Sequence, residues 1–264
     1  MKVLETASTF DLPDERVAVC GDWHGDAGWL RVVANAISRI APDVSTILQA
    51  GDWWMDLPRS DKIMRASGIE RVLVTLGNHE AWPEITKMQD AHPGEAVRVS
   101  ESTWILPRPC RFAIAGRSFL SLGGATSVDR YWRPASDWHA AETITDEHVR
   151  AARHGGEADV MISHETPAGT PVKVVRRILR SNPHGFPQAS LVESAASRVR
   201  LAQVWNSVRP KLLLHGHMHA PGAGQVEDGR RVISLGCNGQ EGSIAILSVA
   251  DLSAEMPSLH EIRN

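Results

Sequence analysis

Short apolar runs that each stop at metal-binding side chains constrain this chain more than any other feature. The runs at 17–20, 46–50, 72–76, 160–163 and 212–214 are rich in Val, Ile and Leu, the pattern of strands buried on both faces. Asp22 and His24 follow the first run, Asp52 the second, Asn78 and His79 the third, His164 the fourth, and His217 and His219 the fifth. In open α/β sheets, ligands bind in the crevice beyond the carboxyl ends of the strands. The five clusters are therefore expected to converge on one site, although they are spread from residue 22 to residue 219.

Helical patterns lie between the runs. Trp29, Val33, Ile37 and Ile40 share one face of a helix that stops at Ala41-Pro42, because proline cannot continue it. Ser190 with Glu193 three residues on reads as a capping box, followed by Leu191, Ala195, Val199 and Ala202 on one stripe. Two antiparallel hairpins are expected, one turning at Gly116 and one at Asp228-Gly229, with a last strand over 243–249. Strands alternating with helices, interrupted by hairpins, predict a four-layer α/β/β/α sandwich in which two mixed sheets are flanked by helices. The site is expected at the C-terminal ends of the strands, in a single domain over 1–264. Residues 123–138 read as a long loop, and long ordered loops in compact domains are often functional.

Composition excludes some classes of function. The 264 residues are 42% hydrophobic and 22% charged, as in a globular chain with a sizeable core. With 28 Lys plus Arg against 31 Asp plus Glu, the net charge of −3 gives no global field to draw the protein onto nucleic acid or an anionic membrane. Cys20, Cys110 and Cys237 are odd in number and far apart, with none of the spacings of a zinc or disulfide framework. No leader-like or membrane-spanning apolar stretch is evident, so a cytoplasmic location is expected. Nothing in the sequence fixes the oligomeric state.

Imidazole nitrogen and carboxylate or amide oxygen suit first-row metal ions, and one carboxylate can bridge two of them. Two such ions about 3.5–4 Å apart acidify a shared water and stabilise in-line displacement at phosphorus. At this point the chain resembles the calcineurin-like metallophosphoesterases, whose pattern DxH, GD, GNH(D/E), H and GHxH is matched in order between residues 22 and 219. The resemblance implies a double β-sandwich flanked by helices. It also implies one ion held by Asp22, His24, Asp52 and His219 and a second held by Asp52, Asn78, His164 and His217. By the same resemblance His79 touches no metal; it serves catalysis over the phosphate, with Asn78 beside it. The cofactor expected is a pair of divalent ions, manganese first, with iron or zinc as alternatives.

Other residues are read more plainly. Arg130 and Arg133 are candidate substrate-binding residues, since a guanidinium can bond two phosphate oxygens. Lys173, Arg176, Arg177 and Arg180 read as a solvated helix face, with Val172, Val175 and Leu179 inward. Trp23, Trp53 and Trp54 flank metal motifs, either as a platform for a ring or as packing beneath the site. Glu80 reads as a helix N-terminal residue and His215 as a strand-end residue beside the ligands. His92, His139, His148, His154, His184 and His260 read as surface or structural. The chain also departs from the phosphoprotein phosphatases, whose GDxVDRG element is here GDWWMDLPR. Met55 stands where those enzymes place the acidic residue that orients the catalytic histidine, and Asp56 is the nearby substitute. These features predict hydrolysis of phosphate esters by hydroxide on two metals. A phosphodiesterase acting on a small molecule or nucleotide comes first, then a phosphomonoesterase, including a protein phosphatase, then a nuclease and a non-catalytic scaffold.

Overall fold

The computed structural model describes residues 1–134 and 137–264. The five apolar runs are the strands Arg16–Cys20, Thr46–Gln49, Arg71–Val74, Val160–Ser163 and Leu212–His215. They are apolar over most of their length because alternate side chains enter different cores. Val17, Val19, Leu48, Leu73, Val160, Ile162, Leu212 and Leu214 meet in a core between two sheets. Ala18, Cys20, Ile47, Val72 and Val74 pack instead with Leu30, Val33, Ile37, Ile63 and Ile85 of the helices on one side. Met161 and Leu213 pack with Val149, Val175, Leu201 and Val204 of the helices on the other. Three cores separate four layers, so the architecture is the α/β/β/α sandwich expected.

Both sheets are mixed. The first has eight strands, in the order Glu5–Ala7, Ala96–Arg98, Thr103–Ile105, Arg71–Val74, Thr46–Gln49, Arg16–Cys20, Ile244–Ser248, Ala254–Glu255. The second has seven, in the order Gly222–Gln225, Arg231–Ser234, Leu212–His215, Val160–Ser163, Arg117–Leu122, Cys110–Ile114, Asp11–Leu12. The ligand-bearing strands are parallel to one another within each sheet. Cys20 lies beside Gln49 and Gln49 beside Val74, while Ser163 lies beside His215. This register brings the polar segments that follow to one rim. The rims of the two sheets touch there: Thr75 Oγ1 lies 2.8 Å from Ser121 Oγ, and Gly124 N–H donates to the Leu76 carbonyl at 2.7 Å.

The helix Ala27–Ile40 is N-capped by Asp26, whose carboxylate accepts from Trp29 N–H, and it ends just before Ala41-Pro42. Both hairpins form. The first turns through Ala115 and Gly116, both at positive φ, as the tight hairpin turn requires.

One sequence expectation fails. The helix Gln188–Val208 begins after Pro187, so Ser190 is in its first turn and makes no capping box. Glu193 turns instead to Arg130, at 2.7 Å. The inward stripe is Ser190, Ser194, Ser197, Leu201, Val204 and Val208, rotated from Leu191, Ala195, Val199 and Ala202; Val199 is 48% exposed. Pro187 stands at the N-cap and has no side-chain acceptor, so the helix starts without a side-chain cap. The serines leave room for the segment after His164, whose Ala168 N–H reaches the Arg198 carbonyl at 3.0 Å. Among the described residues, no helix is long and apolar enough to cross a membrane.

The core between the sheets sets the relation of the two rims. Phe119 is fully buried there and stacks on Phe112, with ring centroids 5.3 Å apart. Phe119→Ala should lower unfolding free energy by roughly 3–5 kcal/mol in urea denaturation. A loss below roughly 1 kcal/mol would mean that this core does not carry the sandwich.

Candidate metal centre

Three of the five strand ends hand over ligands through left-handed turns, which the chain makes only with difficulty. His24, Asp52, His217 and His219 all have positive φ, between 47° and 65°. Such left-handed backbone costs a non-glycine residue on the order of 1–3 kcal/mol and persists only where surroundings over-determine it. The glycines of the motifs serve close approach. A Cβ on Gly51 would overlap the His164 ring, one on Gly77 would overlap Asp52, and one on Gly216 would overlap the Asp22 carboxylate. Thus the glycine of each motif makes room for a neighbouring motif's ligand.

The seven predicted ligands come together in two groups that share Asp52. Ligand atoms of Asp22, His24, Asp52 and His219 all lie within 4.8 Å of one another. His219 Nε2 is 2.8 Å from Asp22 Oδ2, and His24 Nε2 is 3.5 Å from Asp52 Oδ2. On the other side, His164 Nε2 is 3.4 Å from Asp52 Oδ1 and 2.9 Å from Asn78 Oδ1, with the His217 ring 5.0 Å from that of His164.

The donor set fits a cation. His164 Nδ1 faces the Ala50 carbonyl at 2.8 Å, so that nitrogen carries the ring proton and donates. Without a proton or a cation there, its Nε2 lone pair would confront the oxygens of Asp52 and Asn78. Three electron-rich atoms facing one another, all on buried side chains, require positive charge among them. Burial alone would lower the His164 pKa, but the charges of Asp52 and Asp22 outweigh it and push it up to about 10. His219 is likewise pushed up to about 10, burial being overcome by its bond to Asp22. Asp52 is buried, which would raise its pKa, yet the imidazoles of His164 and His24 hold it well below the usual carboxylate range. Divalent ions between these groups satisfy the same charge demand.

A second ring of contacts orients the ligands. Both oxygens of Asp22 accept from His217 N–H at 3.1 Å. His24 Nδ1 meets Asn238 Oδ1 at 2.9 Å, and Asn78 Nδ2 donates to Ser127 Oγ at 2.9 Å, aiming its oxygen at His164. Glu80 is not a helix-start residue: the helix Trp82–Ala91 begins beyond it, capped at Ala81. Its carboxylate accepts the N–H groups of Gly77, Trp53 and Trp54 at 3.0–3.2 Å, tying two motifs together. Burial, with the charge of Asp52 adding to it, pushes its pKa up to about 7.

His79 donates its backbone N–H to Asp52 Oδ1 at 2.8 Å, and burial is the main cause that lowers its side-chain pKa. Asp56 is exposed and caps the helix Leu57–Ala66 by accepting from Arg59 N–H at 2.9 Å. The group on His79 Nδ1 is Arg133, with Nη1 at 3.1 Å. Arg130 stands apart from the cluster, paired with Glu193 and lying over the Trp138 ring at 4.2 Å. Residues 135 and 136 of the loop read over 123–138 lie outside the described residues.

His79 borders two clefts. One, of about 440 Å³, runs from Asp52, Asn78, His217 and His219 to apolar walls of Ile178, Phe186, Leu191 and Met218. The other, of about 560 Å³, lies among His24, Trp54, Trp82, Trp138 and Arg133. Trp23 and Trp53 are buried, whereas Trp54 is 54% exposed and nearly parallel to the His79 ring at 6.5 Å. The cations of Lys173, Arg176, Arg177 and Arg180 are exposed along their helix, with Val175 buried. His184 and His139, read as surface or structural, line one cleft each. His215 bonds the Gly216 carbonyl from inside the fold.

Sequence reasoning missed Asn238, Ser127 and Glu142. Asn238 had a signal, since the strand Arg231–Ser234 also runs into a polar cluster, Gly236-Cys237-Asn238. Ser127 and Glu142 lie in the connection after Arg117–Leu122, where no residue pattern marks them.

A family profile described as calcineurin-like phosphoesterase matches residues 15–221. No protein of curated function matches the sequence. Among solved structures, a dimetal phosphatase from Danio rerio superposes with a TM-score of 0.56 at 12% identity, covering 89% of this chain and 93% of that one. The protein TT1561 of Thermus thermophilus superposes with a TM-score of 0.53 at 12% identity, covering 93% and 99%.

Gly51, at φ +100° with the His164 ring where a Cβ would stand, is the most exacting position in the cluster. Gly51→Ala should displace His164 and weaken Mn²⁺ binding by at least about 10-fold in calorimetric titration. Unchanged affinity in the folded variant would show that His164 is not held where the ions bind.

Proposed function

The chain belongs to the calcineurin-like phosphoesterase family, and we propose that it is a metal-dependent phosphodiesterase acting on a small molecule or a nucleotide. In this reading Asp22, His24, Asp52 and His219 hold one divalent ion, and Asp52, Asn78, His164 and His217 hold the other. Manganese is the ion proposed for both. When bound, such ions supply Lewis-acid charge to phosphoryl oxygens and make water acidic enough to attack near neutral pH.

The observation that carries the preference for a diester is the sharing of His79 by two clefts. A phosphorus centred beside His79 has space for one substituent among Trp54, Trp82 and Trp138 and for another against Ile178, Phe186 and Leu191. A monoester would leave one cleft unused. Exposed Trp54 offers a face for a planar ring, and stacking of that kind contributes about 1–3 kcal/mol per base. His79 stands beside Asp52 without belonging to either ligand group, which suits it to hydrogen-bond a phosphoryl or leaving oxygen. Arg130 and Arg133 already face carboxylates, and the proposal does not need either to hold the phosphate.

The test is hydrolysis of bis-p-nitrophenyl phosphate beside p-nitrophenyl phosphate, with EDTA-stripped protein refilled with Mn²⁺. The diester should be cleaved with the higher kcat/KM, and a preference for the monoester would overturn the reading. His79→Ala should keep its metal and lose about 10²–10³-fold in kcat, as removal of a transition-state donor does. A variant that keeps wild-type kcat would remove His79 from the reaction.

A further inference from the structure

We propose that Arg133 is the positioning residue for His79, donating from its guanidinium to Nδ1 so that the ring proton resides on Nε2. The inference rests on the reading above that His79 serves the reaction. A guanidinium has only donors, so at 3.1 Å from Nη1 the imidazole Nδ1 must act as acceptor. A neutral ring whose Nδ1 accepts carries its hydrogen on Nε2. The phosphoprotein phosphatases that the sequence partly resembles use an acidic residue in this role, and Met55 stands in its place here. A carboxylate would draw the proton to Nδ1 and leave Nε2 an acceptor. Arginine reverses that polarity and makes Nε2 a donor in the neutral ring.

The guanidinium is placed by the hydrogen bonds of Nη1 and by two nearby carboxylates, while its buried Nε and Nη2 make no hydrogen bond among the described residues. Nη1 also donates to the Asp137 carbonyl at 3.1 Å, Nε lies 3.2 Å from Asp129 Oδ1, and Nη2 lies 4.0 Å from Glu142 Oε2. The Arg133 side chain is only 17% exposed. Glu142 is itself anchored, accepting Ser127 N–H at 2.7 Å and Trp138 Nε1–H at 3.1 Å. Ser127 Oγ in turn accepts from Asn78 Nδ2. One connection therefore sets both neighbours in the sequence, Asn78 through Ser127 and His79 through Arg133. With its charge shared between two carboxylates, Arg133 is committed to the loop and to His79.

The experiment uses the full chain loaded with Mn²⁺ and bis-p-nitrophenyl phosphate as the substrate. Arg133→Gln should lower kcat by roughly 10- to 100-fold and leave KM nearly unchanged. Added guanidinium ion should restore part of the rate. The double variant with His79→Ala should be no slower than His79→Ala alone, because both act through one ring. In ¹⁵N spectra of the ring, recorded with diamagnetic Zn²⁺ in place of Mn²⁺, His79 should be protonated at Nε2 in the wild type and a mixture of tautomers in Arg133→Gln. A raised KM with intact kcat, additive with His79→Ala, would make Arg133 a phosphate ligand and overturn the proposal; so would an unchanged ring spectrum. Should Arg133→Gln lose its native circular dichroism, Arg133→Lys carries the same comparison, with Nδ1 still an acceptor and kcat closer to wild type. If the wild type cleaves no phosphate ester, the reading of function fails, while the ring spectra still decide whether Arg133 sets the tautomer.

Discussion

Two buried carboxylates at one rim are the constraint on which the rest of the site depends. Asp22 and Asp52 are each 1% exposed, and imidazoles and backbone N–H groups surround them. Buried charge without compensation costs several kcal/mol per ion. The fold meets that cost by drawing four histidines from strands of both sheets onto the pair, and the divalent ions proposed here complete the neutralisation. The motif glycines, the left-handed turns at Asp52 and His219, and the three N–H groups gathered by Glu80 follow from packing so many polar groups around one point.

What holds the protein together is thus separate from what makes it useful. Three apolar cores fix the two rims against each other, and none of the seven ligands belongs to them. Several ligands sit on strained turns that gain nothing from hydrophobic burial. Such turns survive because contacts such as His217 N–H to Asp22 and His24 to Asn238 restrain them from behind. The clefts beside His79 have ligands at their inner ends, and their outer walls come partly from other segments, the 178–191 stretch and the loop after Gly123.

The strands and the ligands were legible because both obey local rules. A run such as Val160–Ser163 is apolar over most of its length only if both faces are covered, and His164 directly after it marks a strand end. The four layers followed from that pattern. The start of the Gln188–Val208 helix was not legible, since Ser190 and Glu193 satisfy the local rule for a cap while Pro187 and the neighbouring 164–170 segment decide the matter. Nor could sequence place Arg133 on His79. That contact joins residues 54 apart through a loop with no periodicity, and an arginine near a phosphate site suggests the phosphate first. Asp56 illustrates the reverse: its nearness to the GD motif invited a role on His79, but the helix Leu57–Ala66 claims it as a cap.

Everything proposed for the reaction requires Asp52 to join two metal sites into one centre. The decisive measurement is a titration of EDTA-stripped protein with Mn²⁺, recording the electron paramagnetic resonance spectrum at each addition. Binding should saturate at two ions per chain, with the multiline spectrum of a spin-coupled pair. A single ion per chain, or two that remain magnetically isolated, would contradict the bridging role of Asp52.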